Sequence, residues 1–256
     1  MATIIGICGK GGVGKTSLTA LLVKYLLSKG TLPLLVVDAD PNANLGRVLG
    51  ITPEGDIGTI CDDLLEETKK NPGSLSKPEL LRIGLEESIA EEDGYDLITM
   101  GRPEGPGCYC YPNQVLRTIL QTISNQYPVM VVDNEAGLEH LSRRLLRRLD
   151  LLIIVSGPSP RGLRTAARIR ELVRELKIEA KNEYVVVNQT GADGTDWNTL
   201  SEPLGFSLSG TIPRDPLIEE YDLEERSLLA LPDTSLALQA AFAFFKRVIP
   251  PISSGQ

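Results

Sequence analysis

Two rhythms of apolar residues alternate along this chain. Short, nearly uninterrupted runs rich in Val, Ile and Leu occupy 3–8, 32–37, 95–100, 129–132, 151–155, 184–187 and 206–212. Such runs mark strands buried on both faces. Between them the apolar residues fall at helical spacing. Leu18, Leu21, Leu22, Tyr25 and Leu26 follow a helix start near Lys15, and Gly30 ends that helix. Further helices are predicted over 113–126, 161–177, 217–226 and 234–248, the last carrying Phe242, Phe244 and Phe245 and reading as a packed terminal helix. Residues 52–93, rich in Glu, Asp, Lys and Gly, read as irregular helices over the surface. Strand–helix alternation of this kind predicts an α/β fold of three layers, a mostly parallel central sheet with helices on both faces and right-handed crossovers. No repeat or low-complexity linker divides the chain, so 1–256 read as one domain.

The turn after the first run changes the picture from a fold to a chemistry. Residues 9–16 complete the pattern G-x-x-x-x-G-K-[ST], with Gly9, Gly11, Gly12, Val13, Gly14, Lys15 and Thr16 in place and Ser17 next in the helix. This is a phosphate loop in the position such a loop requires, between a strand and a helix. Its glycines let backbone N–H groups converge on an anion, and the helix N-terminus adds its positive end. Lys15 can reach β- and γ-phosphates, and Thr16 can offer its hydroxyl to Mg²⁺. A P-loop NTPase is the expectation. Asp133, which closes the run Val-Met-Val-Val, supplies the Walker B carboxylate toward that magnesium. Asp38 and Asp40 end the second strand run in Asp-Ala-Asp-Pro, placed either for the nucleotide or as turn-forming residues. Asn188 ends another strand and precedes the turn Pro213-Arg214-Asp215; it serves either a base edge or an ordinary turn.

A second lysine, Lys10, opens the loop and gives Lys-Gly-Gly-Val-Gly-Lys-Thr. That form resembles the deviant Walker A motif of the MinD/ParA/nitrogenase iron protein class of ATPases. The resemblance implies that the nucleotides are ATP and ADP, and that Lys10 reaches across a homodimer to the partner's nucleotide, as an arginine finger does. It also implies that Asp40 directs the attacking water, that Asp38 has a magnesium-shell or structural role, and that Asn188, Pro213, Arg214 and Asp215 lie where adenine is read. The chain departs from the class at 133–137, where Asp-Asn-Glu-Ala-Gly replaces the common Asp-Thr-Pro-Ala-Gly and the usual switch threonine is missing.

Cys108 and Cys110 stand in a loop, Gly-Pro-Gly-Cys-Tyr-Cys-Tyr, flanked by further glycine and proline. The pair is either a half-site for a metal or two plain loop cysteines, since two thiolates alone complete neither a zinc nor a nickel site. A two-fold axis would double them to four sulfurs. Together with the lysine-flanked loop and Ala-Gly-Leu-Glu-His-Leu at 136–141, this setting looks like the nickel-insertion ATPases that mature carbon monoxide dehydrogenase and acetyl-CoA synthase, the CooC/AcsF family. The resemblance implies an ATP-driven homodimer whose paired Cys108 and Cys110 hold Ni²⁺, or Zn²⁺, with one of those enzymes as client. An electron-transfer protein with an iron–sulfur cluster on the same cysteines, and a ParA- or MinD-like positioning ATPase, stay open as alternatives. No cysteine follows Asp133 before Asp150, where a nitrogenase-type cluster would need one.

Of the other cysteines, Cys8 reads as a small buried hydrophobe and Cys61 has no partner at ligand spacing; His140, the single histidine, reads as structural. A net charge of −8 argues against a nucleic-acid surface, and no run approaches the length of a membrane span. Lys10 and Lys15 interrupt any secretion signal, so a reducing cytoplasm is the expected location.

Overall fold

Strands and helices alternate as the two rhythms demand. The computed structural model describes residues 2–53, 55–70, 88–102, 110–134 and 148–251, with 64–70 and 110–113 described through the backbone alone. In chain order the first half contains β1 (Thr3–Gly9), α1 (Lys15–Ser28), β2 (Leu34–Ala39), α2 (Leu45–Leu49), α3 (Ile57–Lys70), β3 (Ile89–Glu92), β4 (Tyr95–Thr99), α4 (Cys110–Ile123) and β5 (Val129–Asn134). The second half contains β6 (Arg148–Ser156), α5 (Pro160–Glu175), β7 (Glu179–Thr190), α6 (Trp197–Ser201), β8 (Gly210–Pro213), α7 (Pro216–Leu223) and α8 (Leu236–Val248).

Among the described residues the strands form one eight-stranded sheet in the order β3-β4-β2-β5-β1-β6-β7-β8. Every neighbouring pair is parallel except β3 with β4. Successive side chains on a strand point to opposite faces, so each central strand feeds two cores. Ile5 and Ile7 of β1, Leu34 and Val36 of β2, and Val129 and Val131 of β5 pack with Leu18, Leu22, Phe244 and Phe245 of α1 and α8. On the opposite face Leu35, Val37, Met130 and Val132 meet Ile57 and Cys61 of α3 and Leu116 and Leu120 of α4. Farther along that face Leu152, Ile154 and Val185 meet Leu163, Ile169 and Val173 of α5. Each fully buried leucine or isoleucine contributes roughly 2 kcal/mol of transfer free energy, so the three-layer arrangement is what this pattern stabilises. Among the described residues no helix is long and apolar enough to cross a membrane.

Several boundaries differ from those expected. β2 starts at Leu34, two residues late, because Pro33 has no N–H to donate and Leu32 is half exposed. The 52–93 stretch is not all surface helix: Ile57, Ile60 and Cys61 of α3 are buried, and Ile89–Glu92 forms an antiparallel edge strand. β7 extends well upstream of Tyr184, while β8 begins only at Gly210, with Phe206 buried in the loop before it. Asp196 caps the short α6 through Asn198 and Thr199 N–H groups.

Candidate nucleotide-binding site

The carboxyl ends of the parallel strands carry the polar residues, as crevices in open α/β sheets do. β1 is the central strand, and the loop leaving it wraps into α1. Gly9 is fixed as glycine by contact, because a Cβ there would stand 2.3 Å from the Val155 oxygen. Gly14, at φ 81°, precedes the first helical residue, and a Cβ on it would strike Asn188 Nδ2 at 2.5 Å. Lys10, Gly11 and Gly12 are exposed, Val13 is buried, and Thr16 and Ser17 are half-buried. Lys15 is buried, with its Nζ 3.5 Å from the Lys10 carbonyl oxygen. Thr19, one turn on, donates its hydroxyl to the Lys15 carbonyl at 3.0 Å.

Two carboxylates stand behind the loop. Asp38 and Asp133 are register partners on β2 and β5, and both are almost fully buried. Burial, opposed by the Leu45 N–H, pushes the Asp38 carboxyl up to about 7, with the Asp133 charge adding to the rise. Asp133 is raised to about 6 by burial, against the pull of the Thr16 hydroxyl and Lys15. Asp38 Oδ2 accepts from Leu45 N at 2.8 Å and Oδ1 from Asp40 N at 3.1 Å. Both of its oxygens therefore hold the 40–44 turn and the start of α2. Thr99 continues this polar row on β4 opposite Asp38, its hydroxyl buried without a partner among the described residues. Asp40 forms an Asx turn, Oδ1 accepting from Asn42 N and Nδ2 at 2.9 Å each. No hydrogen bond among the described residues engages its Oδ2.

The residues expected to border the base are tied into the fold. Asn188 Nδ2 donates to the Val13 oxygen at 2.9 Å, in a buried bond. Pro213 ends β8. Arg214 makes a two-pronged pair with Glu219, at 2.6 and 3.0 Å. Asp215 caps α7 through Leu217 N at 3.0 Å, and its Oδ2 accepts from Ser235 Oγ at 2.6 Å and Ala237 N at 3.0 Å. Burial works against the Asp215 charge, yet the Ser235 hydroxyl and the backbone donors hold the carboxyl below the usual range. A cavity of about 210 Å³ opens from Ser17 of α1 between Gln189, Val48, Ile218, Tyr221 and Leu228.

Residues 4–228 match the CobQ/CobB/MinD/ParA nucleotide binding domain, CbiA. The chain belongs to this family. It is 43% identical over 235 residues to an uncharacterized ATP-binding protein of Methanocaldococcus jannaschii, covering 91% of this chain and 92% of the relative. Over 230 residues it is 32% identical to the carbon monoxide dehydrogenase accessory protein CooC of Rhodospirillum rubrum, covering 85% and 86%. Its fold is similar to that of a ParA family ATPase from Chlorobium tepidum (TM-score 0.73, 21% identity, 95% of this chain and 97% of that one). Aquifex aeolicus MinD gives a TM-score of 0.68 at 22% identity, with both chains fully covered. The expected three-layer P-loop fold of the MinD/ParA class is present.

The residues of this MinD/ParA-type crevice fit a magnesium nucleotide. Asp133 Oδ1 is buried with no hydrogen-bond partner among the described residues, beside the Thr16 hydroxyl. Magnesium selects such oxygen donors, and a buried acceptor left open is otherwise costly. The cysteine half of the expected site is different. Cys108, the segment 135–137 and His140 lie outside the described residues, and Cys110 begins α4 where the backbone alone is described. Among the described residues no group of three or more His, Cys, Asp or Glu is placed to hold a metal ion. Cys8 and Cys61 are buried, and burial pushes both thiols up to about 12, so neither is a reactive thiolate. Thr99 and Gln189 gave no signal in the sequence, because their places depend on which strands become neighbours.

Proposed function

We propose that this chain is a magnesium-dependent ATPase that dimerises on binding ATP, holds nickel or zinc on its cysteine pair, and assists nickel insertion into carbon monoxide dehydrogenase or acetyl-CoA synthase. The observation that supports this reading is its likeness to the accessory protein CooC across 85% of its length. Backbone N–H groups of residues 11–16 cradle the phosphates, and Lys15 leaves the Lys10 carbonyl for the β- and γ-oxygens. Thr16 and Asp133 hold magnesium, which when bound neutralises phosphate charge. Asp40 orients the attacking water, and Lys10 from one protomer stabilises the transition-state charge in its partner. Asn188 and the backbone of 213–215 border the adenine.

The metal is cargo in this scheme. Cys108 and Cys110 of two protomers supply four sulfurs, a set that suits nickel or zinc, and a reducing cytoplasm keeps them as thiols. Nucleotide and metal both favour the dimer, so each raises the other's affinity by the same factor.

Sedimentation velocity with saturating MgATP and Ni²⁺, paired with metal analysis, tests the scheme. A dimer with nickel bound in proportion to dimers is expected. Cys108→Ser/Cys110→Ser is expected to lose that nickel while keeping ATP binding. A protein that stays monomeric, or a double variant that retains its nickel, rejects the reading.

A further inference from the structure

Three of the side chains flanking the base end of the crevice are already engaged. Asn188 donates to Val13, Arg214 is paired with Glu219, and Asp215 accepts three donors from the two terminal helices. Gln189 is different. It is exposed on the wall of the cavity that begins at Ser17, and no hydrogen bond among the described residues engages its carboxamide. Its backbone sits at φ 61°, in the left-handed region that non-glycine residues seldom occupy. The β7–β8 pairing slips in register between Val187 and Thr190, so Gln189 lies within a bulge. A bulge re-aims a side chain out of the alternation of its strand. Here it brings Gln189 Nε2 within 3.5 Å of where a Cβ on Gly14 would stand, beside the phosphate loop. Backbone strain held next to a binding loop is characteristic of functional positions.

We propose that Gln189 reads the base of the bound nucleotide. Its carboxamide presents an acceptor and a donor side by side, which matches the 6-amino group of adenine and the ring nitrogen next to it. In this reading the phosphates lie on the loop and the nucleoside enters the adjoining cavity, whose lining includes both Ser17 and Gln189. This inference rests on the nucleotide reading above and goes beyond it by naming the residue that selects the base.

The test compares ATP with purine riboside triphosphate, which lacks the 6-amino group, by calorimetric titration of the full chain with magnesium. Wild type is expected to bind ATP about fivefold more tightly than the analogue, the size of one net hydrogen bond. Gln189→Gly keeps the left-handed backbone and removes both amide contacts; it is expected to bind the two nucleotides alike, more weakly than wild type binds the analogue. Gln189→Asn tolerates the same backbone but is one methylene shorter, and is expected to lose the discrimination too. Preference for ATP retained in Gln189→Gly overturns the proposal while leaving the nucleotide reading intact. Failure of wild type to bind either triphosphate overturns both.

Discussion

The side-chain amide of Asn188 donates to the carbonyl oxygen of Val13 at 2.9 Å, across 175 residues of sequence, and so pins the end of β7 to the phosphate loop. Asn188→Ala leaves a buried carbonyl without a donor, at a cost of about 1–3 kcal/mol. Urea unfolding is expected to show a lower midpoint, and ATP titration a weaker affinity, because a loosened loop presents its N–H groups less well. An unchanged midpoint would mean that the bond does not bear on the fold.

Lys10 is exposed, whereas Lys15 is buried against the loop. Lys10→Ala is therefore expected to leave ATP affinity within about threefold and to lower turnover by a factor on the order of a thousand, the lower end of what a trans-acting cation supplies. Steady-state phosphate release alongside equilibrium binding separates the two effects. Equal turnover in the variant and wild type would reject the role in trans.

The carboxyl of Asp38 titrates at about 7 in the fold against 3.8 in a model peptide, chiefly because burial disfavours its charge. The folded state thus holds this proton more tightly than the unfolded chain does. The stabilisation is complete below the unfolded value and is lost as pH rises through about 7. Asp133, raised to about 6, acts in the same direction. Without nucleotide and magnesium, stability is expected to fall between pH 4 and 7, and Asp38→Asn to flatten that slope. Thermal midpoints taken across the range check this; a slope equal to wild type would show that Asp38 is not its source.

What could be read in advance, and what could not, divides on physical grounds. β1 and β5 were legible because a strand buried on both faces is apolar at nearly every position. The phosphate loop was legible because anion binding needs glycine at fixed spacing. β3 was missed: only Ile89 and Ala90 pack against the core, while Glu91 and Glu92 face solvent on the sheet's edge. The upstream half of β7 was missed for a similar reason, since Glu179 and Lys181 are exposed and held by Arg148 and Asp150 of the adjoining strand. Asp215 and Asn188 were legible as residues beside a turn, but their partners Ser235 and Val13 are brought near only by the order of strands and helices. Gln189 gave no signal at all, because its left-handed backbone belongs to a bulge that exists only once β8 pairs with β7.

A single buried carboxylate begins two helices. Asp215 caps α7 with one oxygen, and with the other it grips Ser235 and Ala237 at the start of α8. The two helices are consequently geared together: neither can tilt or slide without dragging the other or breaking a charged hydrogen bond. A displacement at the start of α7 is therefore handed directly to the C-terminal helix, and the two travel as one piece.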